Sequence, residues 1–566
     1  MPERATRALS ALLAVCAVVS GCATQTARPS APPSSGVAQA AAQITTAALA
    51  APIRFLADDA LEGRGPGTRG DFLARLYVGS TLQGLGLEPA FADGSFEQPV
   101  ELIGVTSTPP RSWSFQHDGR QLALQPGVDF VASSGPASPR AAIAGAEVVF
   151  AGYGIQAPEY GWDDFKGADL RGKVLLLLNN DPDWDPKLFA GKRRLYYGRW
   201  TYKFESAARQ GAVGAIVLHT TKSAGYPWQT VQTSWSGENS RLAESPDGRG
   251  LVIEAWLSED AARRVVALSG NDLDALVAAA RERTFRPLPL GVTTSLALTN
   301  EVRAYASANV AAVLRGSDPL LRDEVVVYSA HHDHFGIKKS PAGVVEIYNG
   351  ALDNAAGVAQ LLSIARAFAA LPEPPRRSVV FLAVAAEEQG LLGSEYFVKH
   401  PPVPLEQLVA NLNVDGGNVL GRTKDVGVVG AGKSSLDGVL AEAAQEQGRS
   451  VADDPFPDRG LFYRSDQFNF ARAGVPALFV GPGVDYYGRP PGWGREQVEA
   501  WEEHHYHQPS DDYDPGWDLT GMVEDAQLAF RTGLLVAQAK NAPHWLPGDE
   551  FARLRPPPQA AGSLIP

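Results

Sequence analysis

Residues 301–546 predict an α/β fold, a mostly parallel mixed sheet flanked by helices. Apolar runs of strand length at 324–330, 378–386, 408–414 and 476–480 alternate with helical periodicity, as at 354–370. Several of these runs end in imidazole or carboxylate side chains. In open α/β sheets, ligands gather beyond the carboxyl ends of the strands. A β-rich stretch over 110–300 interrupts the pattern and predicts an inserted domain.

The chain has 566 residues, too many for a single compact core. Hydrophobic residues make up 45% and charged residues 20%, as in ordinary globular proteins. The net charge of −13 argues against nucleic acid as a partner, because phosphate binding needs a cationic face.

The elements read in order as follows. Arg4 and Arg7 precede an apolar segment, 8–19, that is too short for a permanent span and ends in Val19-Ser20-Gly21-Cys22. This resembles the lipobox of bacterial lipoproteins, which implies a signal over 1–21 and an acylated Cys22. It also implies a bacterial membrane anchor facing the periplasm, with the outer membrane favoured by Ala23. A plain secretory signal is the alternative. Cys16 and Cys22 are the only cysteines, so the mature chain has no internal disulfide and any metal must use nitrogen and oxygen ligands.

Residues 22–42 read as a flexible tether. Helical periodicity at 44–61 and 69–85 opens the first part of the catalytic domain, 43–109. Short β-like runs at 147–154, 172–178 and 212–218, with a helix at 203–210, fill the insert. They resemble the protease-associated domain. The second catalytic part follows at 301–546, and a Pro-rich tail with little structure is expected at 547–566. The Gly63-Arg64-Gly65-Pro66-Gly67 run reads as a loop and not a phosphate cradle, since no Lys-Ser/Thr follows.

Five segments carry the chemistry: Ser329-Ala330-His331-His332-Asp333-His334, Gly350-Ala351-Leu352-Asp353-Asn354, Ala386-Glu387-Glu388-Gln389-Gly390, Asn413-Val414-Asp415-Gly416-Gly417 and Tyr506-His507-Gln508-Pro509-Ser510-Asp511. Their imidazoles and carboxylates suit two zinc ions sharing a bridging carboxylate. Strand alternation turns His332 away from His331 and predicts different tasks for Glu387 and Glu388. His334, His504 and His505 are weaker ligand candidates. Asp511 and Asp512 read as a cap, a solvated loop or support for the ligands.

In this order, the segments resemble the di-zinc exopeptidase family of secreted bacterial aminopeptidases and aminopeptidase Y. Glutamate carboxypeptidase, glutaminyl cyclase and the transferrin receptor share the fold group. The resemblance implies that His331 and Asp415 bind one zinc, Glu388 and His507 the other, and that Asp353 bridges them. Glu387 would be the general base, and Asp333 would hydrogen-bond the His331 imidazole. Tyr463 is the expected donor to the scissile carbonyl. A cis bond is expected at Asp353–Asn354. Relatives often read Ser-Asp-His where this chain has Ser465-Asp466-Gln467.

The implied activity is removal of N-terminal residues from peptides with a free N-terminus. A carboxypeptidase, a glutaminyl cyclase and a non-catalytic binding protein are the alternatives on the same fold. Globomycin should make the precursor accumulate, and Cys22→Ala should release the protein from membranes. Unchanged processing and membrane recovery in both would exclude the anchor.

Overall fold

A computed structural model describes residues 35–235, 237–245, 248–339 and 343–555. The expected signal, Cys22 and most of the tether lie outside the described residues, as does the end of the tail.

The catalytic sheet is built around four parallel strands. Ser378–Val384, Val325–His331, Leu408–Asn413 and Ala477–Pro482 lie side by side in that order. The end of the long strand Leu288–Leu314 pairs antiparallel with Ser378–Val384, and Asp425–Val429 pairs antiparallel with Ala477–Pro482. The central strands are buried on both faces, which explains why they read as continuous apolar runs.

Helices cover both faces. Ala356–Ala369 is almost wholly buried on one face, against Thr46–Leu56 and Thr520–Gln538. Rings of Tyr328, Phe368, Phe381 and Phe530 pack there with centroids 4.9–5.8 Å apart, and the Tyr328 hydroxyl donates to the Ala529 carbonyl at 2.7 Å. On the opposite face Phe397, Phe468, Phe470, Trp545 and Phe551 close a second core.

The insert has its own parallel strands, Val174–Leu178, Gly214–Leu218 and Ile253–Leu257, beside Arg140–Phe150 and Phe130–Ser134. Its expected boundaries fall beside and within paired strands. Glu97–Thr108 runs antiparallel to Leu288–Leu314, from Glu97 opposite Val310 to Thr108 opposite Thr299. The 27-residue strand then pairs with Arg140–Phe150, so one ribbon belongs to both regions.

Both ends of the globular part extend past their expected limits. The tether gives way to a helix at Ser35–Ala41, because Ala and Gln favour helix and Val37 and Ala40 find apolar cover. The tail is packed as far as Arg555. Trp545 is buried and donates to the Gly474 carbonyl, Phe551 is buried, and Lys433 binds Asp549 and Glu550 at 3.2 and 2.8 Å. Two aromatic and two acidic anchors thus outweigh the effect of the prolines that follow.

Trp545→Ala should therefore destabilise the protein by about 3–5 kcal/mol, read by denaturant unfolding. A change below about 1 kcal/mol would mean that the tail packs only marginally.

Candidate metal centre

Every ligand candidate sits at the carboxyl edge of the parallel strands. His331 is the last residue of Val325–His331, Glu387 and Glu388 follow Ser378–Val384, and Asp415 follows Leu408–Asn413. Asp353 lies just before the helix Ala356–Ala369, and its bond to Asn354 is cis. His507 comes from the segment after the helix Trp493–His504.

The spacing of these atoms is specific. His331 Nε2 lies 3.2 Å from Asp353 Oδ1 and 3.3 Å from Asp415 Oδ1. His507 Nε2 lies 3.3 Å from Asp353 Oδ2 and 3.2 Å from Glu388 Oε2. Tetrahedral ligands about 2.0–2.1 Å from a zinc ion stand about 3.3 Å apart. The Asp353 carboxylate gives one oxygen to each group. His331 Nε2 is buried without a hydrogen-bond partner, which fits a nitrogen awaiting a cation. The donor set, all imidazole and carboxylate, therefore fits two zinc-sized ions with Asp353 between them.

His334 behaves differently. Its Nδ1 is 2.6 Å from Glu388 Oε1, too short for neighbouring ligands on one ion. A group formed by His334, Asp353 and Glu388 is compact enough to hold a metal, but the wider spacing of His507 suits an ion better. His332 points away, as alternation predicts, and meets Asp71 at 3.0 Å. His505 faces the Ser510 carbonyl.

Glu387 and Glu388 fall into different groups, as expected, but by a turn and not by strand alternation: the strand ends at Val384, and Ala386 takes a left-handed conformation, φ 53°. Glu387 joins His331 and Asp415, with Oε2 3.9 Å from His331 Nε2. Two expectations need correction. Asp333 does not hold the imidazole through its carboxylate. Its backbone carbonyl faces His331 Nδ1 at 3.2 Å, while the carboxylate is 3.9 Å away. That carboxylate instead accepts the backbone N–H groups of Glu387 and Glu388 at 3.0 and 3.3 Å, so it fixes the turn carrying both. Tyr463 does not aim its hydroxyl at the ligands. It donates to Glu550, a tail residue that the sequence pattern left without structure.

Further residues hold the site, and of the readings open for Asp511 it takes that of support for the ligands. Asp511 accepts the backbone N–H groups of Leu352 and Asp353 at 2.9 and 3.0 Å. Asn354 Oδ1 accepts from Gly357 and Gly416, tying the Asp353 loop to the Asp415 loop. A Cβ at Gly357 would stand 2.0 Å from that oxygen, so this close approach requires glycine. Arg64, fully buried, donates to the carbonyls of His332, Asn349 and Gly350. Gln467 joins Asn413 to the Phe462 carbonyl, a structural role for the position that departs from the relatives.

The electrostatics reflect crowded buried acid. Burial, aided by Glu388, Asp466 and Asp415, pushes Glu387 well above the carboxylate range against the pull of His331. Burial raises Asp466 to about 7. Burial alone would lower the histidines, but Glu387 and Asp415 hold His331 well above its usual value, and Glu388 with Asp353 lifts His507 to about 9. Without metal, the imidazoles act as the counter-charge.

In sequence, the segment that carries these ligands, residues 309–531, matches the model of peptidase family M28. Aminopeptidase YwaD of Bacillus subtilis is 26% identical over 286 residues, covering 48% of this chain and 54% of that protein. Aminopeptidase NAALADL1 of Mus musculus is 32% identical over 133 residues, covering 22% of this chain and 16% of that protein. A vacuolar membrane protease of Lachancea thermotolerans is 29% identical over 187 residues, covering 32% of this chain and 17% of that protein. The chain thus spans about half or less of these curated relatives. The solved aminopeptidase from Aneurinibacillus sp. strain AM-1 shares the fold, with TM-score 0.50, 18% identity, and 88% of this chain and 95% of that chain covered.

Metal binding must displace protons from the histidines, because both are held above their usual pKa. At pH 7, zinc titration of the metal-free protein should release about two protons, read by calorimetry in buffers of different ionisation heat. Apparent affinity should rise with pH up to about 9. A buffer-independent heat would contradict this assignment. Elemental analysis should find metal lost in His331→Ala and His507→Ala but kept in His332→Ala.

Proposed function

We propose that this chain is a zinc-dependent aminopeptidase that hydrolyses N-terminal residues from peptides. The observation that carries this reading is the pair of ligand groups spaced at 3.2–3.3 Å around a shared Asp353. Two bound zinc ions would lower the pKa of a water between them and polarise the scissile carbonyl.

The residues divide the remaining work. Glu387 stands beside the His331 group and is placed to take the proton of the attacking water and return it to the leaving amine. Asp333 keeps Glu387 and Glu388 in position through their backbone N–H groups. Asp511 and Asn354 fix Asp353, and Asn354 also holds the loop of Asp415. His334 stands beside Glu388. The cleft in front of these residues, ≈ 870 Å³, admits a peptide end rather than a folded chain.

On this reading, Cys22 carries the acyl chains that hold the enzyme to a bacterial membrane, facing the periplasm, and the β-rich insert is of the protease-associated type. The short parallel strands and intervening helix of the insert support the second statement, and the residues before Cys22 support the first.

Aminoacyl anilides with a free amine should be cleaved at least about a hundredfold faster than their N-acetylated forms, a difference of about 2.7 kcal/mol in transition-state binding. Equal rates would sink the aminopeptidase reading. Glu387→Gln should keep both metals and lose about a thousandfold or more in kcat, since an amide cannot accept the proton. Loss of metal in that variant would reassign Glu387 as a ligand, with Glu388→Gln as the comparison expected to lose one ion.

A further inference from the structure

The cleft that opens on the metal centre meets every residue of one strand in turn, Gly336–Lys339. Successive side chains of a strand point to opposite faces, so a cleft that touches four consecutive residues meets the strand along its edge. Among the described residues, no part of the partner strand, Val345–Tyr348, lines the cleft. The two strands are antiparallel, with Gly336 opposite Tyr348 and Lys339 opposite Val345, and among the described residues neither pairs with a third. One edge of Gly336–Lys339 is thus taken by its partner, and the edge on the cleft side is open. Along such an edge, every second residue turns its N–H and C=O away from the ladder.

The hairpin is anchored at the metal centre. Gly336 follows His334 by two residues, and the Phe335 ring between them packs against the His507 ring with centroids 4.6 Å apart. Gly63 lies too close to the carbonyls of Gly336 and Tyr348 for any side chain there. Exposure then rises along the strand, from buried Gly336 to exposed Lys339, so the open edge runs from the ligands out to solvent.

Short length and lysines commonly protect an edge strand from pairing. Here Lys338 does not cover the edge. Its ammonium lies over the rings of Phe335 and Tyr348, at 3.7 and 5.0 Å. Ile337 and Val345 stand on the other face of the hairpin, 49% and 64% exposed, and leave apolar surface beside the edge. An open edge that starts at a hydrolytic centre suits an extended peptide, because main-chain pairing gives affinity without regard to side chains.

We propose that the residues of a peptide substrate beyond the scissile bond add to Gly336–Lys339 as a third strand. The pairing is parallel, since both chains start at the metal centre and run outward. The proposal rests on the aminopeptidase reading and adds a substrate class to it: extended peptides of about five residues, read through their backbone. At about 3.3 Å per residue, the four residues after the cleaved one match the four residues of the edge.

Two substrates test the length: leucylalanine amide and leucyl-tetraalanine amide, neither of which carries a carboxylate. In the full-length zinc enzyme, release of leucine from the longer amide should be about tenfold or more faster in kcat/KM, chiefly through KM. N-methylation of one amide at a time beyond the scissile bond should erase this gain at alternate positions and spare it at those between. Ile337→Pro and Lys338→Pro each remove one strand N–H, and alternation turns one of these toward Val345–Tyr348 and the other toward the cleft. The long-to-short ratio, read within each variant, should fall to near one for the cleft-side proline. A ratio near one in the unaltered enzyme, or methylation effects without alternation, overturns the proposal whether or not the proline variants fold. So does a ratio kept in both proline variants, or one lost only when proline enters Glu238–Leu242, another strand on the cleft wall, as in Asn239→Pro or Ser240→Pro. If no peptide is cleaved, the aminopeptidase reading fails separately. Calorimetric binding of the two amides and their N-methylated forms to the unaltered protein then decides the strand addition by the same ratio and the same alternation.

Discussion

Bringing carboxylates together in a dry site is costly, and the centre of this protein does so repeatedly. Asp353, Glu387, Glu388 and Asp415 converge there, with Asp333 and Asp466 buried close behind. Charges of one sign at such distances repel strongly where water is excluded. The architecture around them is organised to tolerate that repulsion. Backbone N–H groups satisfy Asp333 and Asp511, imidazoles face Asp353 and Glu388, and the positions left open match the coordination shell of cations.

The parallel sheet is what makes such convergence possible. Three neighbouring strands end at the same edge, so residues far apart in sequence arrive together without long loops. The two cores on either face hold that edge rigid, and the buried Arg64 ties the loop after one strand to the loop before the first helix of the site. Rigidity of this kind matters for metal ligands, where displacements of a few tenths of an ångström change coordination.

Much of this was legible in the sequence because strand-to-ligand junctions are local. An apolar run followed by His331 or Asp415 carries its own context. Glu387 and Glu388 do take separate places, although the reason differs: the chain leaves the strand two residues before the expected end and turns at Ala386. Tyr463 read as a donor because its partner, Glu550, lies in a segment whose prolines suggested disorder. Arg64 and Asn354 act through contacts with distant carbonyls and N–H groups, and no periodicity marks those. The long strand Leu288–Leu314 was divided at its middle because its pairing changes partners there, from the insert to the catalytic sheet.

That strand has a consequence for how the chain reaches its folded state. Its ladder with Glu97–Thr108 joins positions about two hundred residues apart, so this edge of the sheet cannot assemble until the residues between have been synthesised. Closing a free loop of that length would be slow, since non-local pairing must meet the entropic cost before any contact rewards it. An insert that collapses first, around its own parallel strands, brings the two ends together and shortens the effective loop.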